Sequence, residues 1–214
     1  MGDQITQQQV NQAAWAACDT FRGAVDPAQY KDYILAMLFV KYISDLWNDH
    51  VETYRKQFGG DDARIRRRLE RERFMLPEGT SFYDLYEARN EANIGELINM
   101  ALEKIEDQNR TKLEGVFRNI DLNSEANLGR VKDCNRRLKN MLEGFAKPAL
   151  DLRPSRVTED IIGKCYIYLI HASRRTLAKR QENSTPPLPY NACSPSSPRP
   201  RSTWTNFMWH EQAF

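Results

Sequence analysis

The sequence predicts an all-α fold, a bundle of roughly six to eight helices. Apolar residues recur every three or four positions in successive segments of residues 1–170, which is the helical period. No convincing pair of period-2 segments appears, and neither Asn-Gly nor Asp-Gly, the common tight hairpin dipeptides, occurs in the chain.

The elements follow in order. Asp3 to Arg22 reads as a helix with Ile5, Val10, Ala14, Ala17, Cys18 and Phe21 on one face, and Gly23 is placed to end it. Asp26-Pro27 supplies a capping carboxylate and then proline at the first helical position, where a missing N–H breaks no intrahelical bond. Ala28 to Phe58 is the strongest segment, with Tyr30, Ile34, Met37, Leu38, Lys41, Tyr42 and Leu46 at threes and fours and Gly59-Gly60 as its stop. Between Ile34 and Ile43 apolar residues nearly encircle it, which places this helix in the middle of the bundle. Asp61 to Arg73 reads as a short charged helix, Phe74 to Gly79 as a loop, and Ser81 as the cap of a helix through Asp84 and Tyr86. Asn93 to Asp107 carries a stripe of Ile94, Leu97, Ile98, Ala101, Leu102 and Ile105. Leu128 to Phe145 carries another through Val131, Leu138, Met141 and Leu142. Thr158 to Ile170, entered through Thr158-Glu159-Asp160, is the last clear helix.

Composition divides the 214 residues near position 170. The formal net charge is +2, yet residues 1–170 hold 25 Lys+Arg against 27 Asp+Glu, and residues 171–214 hold 6 against 2. Six of the ten prolines and none of the ten glycines fall in 171–214. The basic excess, a weak pointer to nucleic acid, is therefore a property of the tail. Two regions are expected: a helical domain over 1–170 and a Pro-rich basic tail over 171–214.

Several function classes drop out. The longest apolar run, Ile34 to Val40, is far short of the roughly 20 residues of a membrane span, and the N-terminus lacks a secretory pattern. A cytoplasmic setting without membrane contact is the expectation. Cys18, Cys134, Cys165 and Cys193 have no C-x-x-C spacing and read as reduced thiols, three of them packed on helices, so no metal site is expected. Phosphate-loop, dinucleotide, nucleophile-elbow and zinc-protease motifs are missing. His50, beside Asp49 in a long helix, reads as a solvated or satisfied histidine, and Asp61-Asp62 as a helix start.

Two clusters remain as candidate surfaces. Arg64 to Arg73 holds six arginines; they either meet phosphates, with Arg64, Arg67 and Arg71 as the candidates, or form a solvated face with Arg66/Glu70 and Arg68/Glu72 pairs. Phe82, Tyr83, Tyr86 and Arg89 are residue types enriched at binding surfaces, and equally have the spacing of a core stripe.

Three stretches then carry a resemblance. They are Phe39-Val40-Lys41-Tyr42-Ile43-Ser44-Asp45, then Pro77-Glu78-Gly79-Thr80-Ser81-Phe82-Tyr83-Asp84-Leu85-Tyr86, then residues 160–170, Asp-Ile-Ile-Gly-Lys-Cys-Tyr-Ile-Tyr-Leu-Ile. In this order they resemble the N-terminal helical domain of the modification subunit of type I restriction-modification systems, which are adenine-N6 DNA methyltransferases. The resemblance covers about residues 5–170. It implies a domain that packs on the methyltransferase domain, contacts the specificity subunit and helps close the complex around DNA. Phe82, Tyr83, Tyr86 and Arg89 would serve packing or partner contact, and Arg64, Arg67 and Arg71 the DNA backbone.

The family's glycine-rich S-adenosylmethionine loop and its Asn-Pro-Pro-aromatic motif for the flipped adenine are missing from 1–214, so no cofactor site and no catalysis are expected of this chain. Where the family continues into its catalytic domain, this sequence turns to His171-Ala172-Ser173-Arg174-Arg175. Codons for residues 171–187, re-read from each third base, can spell Arg-Phe-Ala-Ser-Asp-Ala-Gly-Lys-Lys-Ala-Gly-Glu-Phe-Tyr-Thr-Pro, a family-like run. The tail is therefore expected to be the methyltransferase gene out of frame, ending at a chance stop codon, and poorly structured. Apolar surface left by a missing domain would favour self-association. The alternative function is a stand-alone helical DNA- or protein-binding module.

Overall fold

The computed structural model describes residues 6–21, 27–148, 150–154, 157, 161, 163–165 and 167–172. Among them the regular structure is entirely helical: α1 (Gln7–Asp19), α2 (Pro27–Phe58), α3 (Asp62–Leu69), α4 (Phe82–Glu87), a 3-10 turn (Ala88–Asn90), α5 (Ile94–Gln108), α6 (Arg110–Leu113), α7 (Glu125–Leu128) and α8 (Val131–Phe145). Residues 161, 163–165 and 167–172 are helical too. The expectations for Ile5, Gly23, Asp26, the side chain of Tyr30, Thr158 to Asp160, Cys193 and the tail lie outside the described residues.

The capping chemistry is local and legible. Thr6 accepts the Gln9 N–H while the Gln9 side chain accepts the Thr6 N–H, a reciprocal box that starts α1. Pro27 is the first residue of α2, and Gly59 and Gly60 end it at φ values of 61° and 86°, a region costly for any residue with a Cβ. Asp61 caps α3 by accepting the Arg64 N–H at 3.1 Å. Ser81 and Asp84 form the same reciprocal box at the start of α4.

Helix α2 is the axis, touching α1, α3, α4 and α8. From Tyr33 to Ile43 every residue but Tyr42 is buried, as the encircling apolar pattern predicts. Around it close Val10, Ala14 and Phe21 near α1, Phe82 and Leu85 of α4, the α5 stripe, and Leu138, Met141, Leu142 and Phe145 of α8. Cys18, Cys134 and Cys165 are buried within helices, as expected. The last helical stretch packs back on α1: Gln7 donates to the Ile161 carbonyl at 3.1 Å, and Trp15 meets Tyr168 edge-on at 6.4 Å.

Two boundaries differ from the periodicity. The charged helix ends at Leu69 rather than Arg73, because Leu69 is the last residue on its apolar face. Residues 128–145 are not continuous: Gly129 takes φ 81° and separates α7 from α8. Leu128 fits the α8 stripe in spacing yet is buried from a different helix.

Candidate functional site

The first two sequence motifs meet at one point. At the end of the encircled part of α2, Lys41, Ser44 and Asp45 are polar, and each is at most 3% exposed. Charges and hydroxyls at that depth need partners. Lys41 Nζ lies 2.6 and 2.5 Å from the two oxygens of Asp45, one helical turn on. The Tyr83 hydroxyl donates to Asp45 Oδ1 at 2.6 Å and accepts from Lys41 at 3.2 Å. The Leu152 N–H donates to Asp45 Oδ2 at 2.8 Å. Ser44 Oγ donates to the Val40 carbonyl and accepts the Phe82 N–H at 2.8 Å. That amide is one of the donors every helix N-terminus leaves open, so α2 supplies the partner that α4 lacks.

Asp45 thus binds three elements to each other: its own helix, α4, and the segment at 150–153. Lys41 also lies 5.5 and 5.1 Å from the ring centroids of Phe82 and Tyr83. Burial, and then the hydrogen bond to Asp45, push the Tyr83 phenol well above its ordinary value. A cleft of about 430 Å³ opens over this cluster, walled by Lys147, Pro148, Asp151 and Arg153. Arg153 is held by a two-pronged pair with Asp151, 2.9 and 2.6 Å at its closest. Lys41, Asp45 and Tyr83 at the floor of the cleft are engaged with one another, so the cluster ties elements together.

The expected aromatic cluster divides between core and surface. Phe82 is fully buried, and Tyr86 stacks on it at 6.5 Å. Arg89 lies 4.2 Å over the Tyr86 ring and donates to the Tyr86 carbonyl at 2.8 Å. Tyr83 alone is exposed, at 43%, with its hydroxyl turned into the Asp45 cluster. Sequence spacing brought out these aromatics but missed Lys41, Ser44 and Asp45 as a network. The available signal was three polar side chains in and directly after a stretch apolar on nearly all sides.

The arginine segment sits elsewhere, on α3 and the turn after it. Ile65 and Leu69 are buried against the bundle, and Arg64, Arg67 and Arg71 are exposed. Arg64 pairs with Asp61 at 3.0 Å while remaining 71% exposed. The pairs expected from spacing do not form: among the described residues neither Arg66/Glu70 nor Arg68/Glu72 is an ion pair. Tertiary partners take Arg68 and Glu72 instead. Glu72 accepts a short hydrogen bond from the Tyr54 hydroxyl and lies 3.2 Å from His50 Nδ1, and Arg68 lies over the Tyr54 ring at 5.7 Å. His50 is accordingly half-buried beside a carboxylate rather than solvated.

Among the described residues no helix is long and apolar enough to cross a membrane, and no group of three or more His, Cys, Asp or Glu is gathered for a metal ion. No curated protein matches the sequence. The fold is similar to that of the type I restriction-modification system methyltransferase subunit from Streptococcus thermophilus, with a TM-score of 0.57 at 23% identity. That likeness covers 78% of this chain and 39% of the other, so the chain spans well under half the length of its structural relative. The HsdM N-terminal domain family matches residues 10–145, the stretch from α1 to the end of α8. The chain therefore belongs to the HsdM N-terminal domain family.

Proposed function

We propose that this chain is the helical N-terminal part of a type I restriction-modification DNA methyltransferase subunit, acting as an interaction domain and not as a methyl-transferring enzyme. Family membership over residues 10–145 carries the reading. The domain would bind the specificity subunit, pack on the catalytic domain and help hold DNA in a cytoplasmic complex. S-adenosylmethionine and the flipped adenine belong to the catalytic region; neither the glycine-rich loop nor the Asn-Pro-Pro-aromatic motif occurs in this sequence.

The geometry supports a division of labour. Arg64 and Arg67 are exposed on the side of α3 away from Ile65 and Leu69, and Arg71 is exposed in the turn after it, where a phosphate backbone reaches them. Tyr83 presents its ring at the surface while its hydroxyl is anchored, which fixes the ring for partner contact at little entropic cost. Residues 171–214 are read as the catalytic gene out of frame, a reading that sequencing the locus checks directly.

Calorimetry tests the whole. The chain is titrated with the specificity subunit encoded at the same locus and, separately, with S-adenosylmethionine. Saturable binding of the subunit and no heat from the cofactor are expected. Saturable cofactor binding would overturn the reading, and so would a specificity subunit that does not bind.

A further inference from the structure

Between α2 and α3 lies a second cleft, of about 400 Å³, with an apolar floor of Trp47, Ile65, Leu69, Met75 and Leu76. Its rim on the α3 side is Asp62, Arg66 and Glu70. Successive residues of a helix are about 100° apart, so α3 has three faces. Ile65 and Leu69 point into the bundle, Asp62, Arg66 and Glu70 run beside them along the cleft, and Arg64 and Arg67 point away, with Arg71 exposed in the turn that follows.

The rim has an unusual property. Acidic, basic and acidic groups stand four residues apart, the spacing at which a helix pairs its own charges. All three are exposed, yet among the described residues none forms an ion pair. Alternating charge of this kind repels a phosphate backbone at two of its three positions. It complements a helix that carries basic, acidic and basic residues at the same four-residue interval. The partly exposed part of the floor offers such a helix an apolar patch of Trp47, the adaptable Met75 and Leu76.

We infer that the α2–α3 cleft seats an amphipathic helix of a partner protein, its apolar residues over Trp47, Met75 and Leu76 and its basic–acidic–basic row against Asp62, Arg66 and Glu70. The inference rests on the reading of the chain as a partner-binding domain and names the place and chemistry of that contact. One short helix thereby serves two partners. Its outward arginines are left for nucleic acid, and its cleft-side charges select a protein.

The test uses the full chain and the specificity subunit of the same locus. Asp62→Lys with Glu70→Lys reverses two exposed rim charges without touching the core, and circular dichroism verifies that the helices are intact. Loss of at least tenfold in calorimetric affinity is expected, with hydrogen-exchange protection on binding concentrated in residues 62–76. Arg64→Ala with Arg67→Ala should leave that affinity within about twofold. Unchanged affinity in the rim variant, or protection elsewhere, overturns this inference and leaves the interaction-domain reading standing. A wild-type chain that does not bind the subunit at all removes both. If light scattering shows the free chain to be a dimer that the rim variant dissolves, the occupant is a second copy and the inference is wrong.

Discussion

Replacing Asp45 by alanine should be among the most destabilising single changes in this domain. Asp45 is 2% exposed and receives Lys41 on both oxygens, the Tyr83 hydroxyl and the Leu152 N–H. Removing it leaves the buried ammonium of Lys41 without a counter-charge, a situation that costs about 3–5 kcal/mol. It also orphans the buried Leu152 amide, which costs about 1–3 kcal/mol. The two overlap as Lys41 and Tyr83 rearrange, so about 4 kcal/mol is expected. Against a total stability of about 5–15 kcal/mol for a domain, that is a large fraction. Urea unfolding followed by circular dichroism measures it; at a slope of about 2 kcal/mol/M the midpoint falls by about 2 M. Lys41→Met with Asp45→Leu removes both charges, and its loss should be about half as large, because only the Leu152 amide and the Tyr83 hydroxyl lose a partner. A loss below about 1 kcal/mol for Asp45→Ala, or a double variant no better than the single one, refutes the account of Asp45 as the tie between three elements.

Gly95 lies at the first turn of α5, where an added Cβ would stand 2.5 Å from the Leu122 carbonyl oxygen. Gly95→Ala must push two backbones apart and should cost about 1–3 kcal/mol by the same unfolding measurement. Burial pushes the Cys165 thiol up to about 12, against an ordinary 9.0. Because the folded value lies above the unfolded one, its contribution is complete below pH 9 and is lost as pH rises from 9.0 through about 12. In the native chain at pH 8 Cys165 should therefore resist iodoacetamide by about a thousandfold relative to the same thiol in urea, followed by mass spectrometry. If Arg64, Arg67 and Arg71 meet phosphates, replacing all three by alanine should lower the steepness of log affinity against log salt by about 3, measured by fluorescence anisotropy on a duplex; an unchanged slope removes them from that role.

Which parts of this molecule the sequence discloses follows from the range of the forces involved. Period and capping act within a few residues. They place α1, α2, α4 and α5 within a few residues of their observed ends, and they identify Ser81 as a cap and Gly59-Gly60 as a stop. Gly129 shows where period alone misleads, since Leu128 has the right spacing for α8 but precedes a glycine whose positive φ redirects the chain. The charges of α3 show it again. Four-residue spacing predicts Arg68 with Glu72, whereas Tyr54, 18 positions from Glu72 in sequence, is the group that reaches Glu72.

The Lys41–Asp45 pair is the same lesson at greater depth. Spacing puts the two side chains one turn apart, but their value depends on Tyr83 and Leu152, which arrive 38 and 107 residues later. This distance also explains why two short motifs, around residues 39–45 and 77–86, stand out from their surroundings in the sequence. They are the two halves of one buried polar joint: Ser44 completes the start of α4, and Tyr83 of α4 completes the environment of Asp45. A motif of this kind fixes how helices are joined more directly than what they bind. The contacts proposed for partners accordingly lie on surfaces the joint does not use: the exposed arginines on and just after α3 and the charged rim of the α2–α3 cleft.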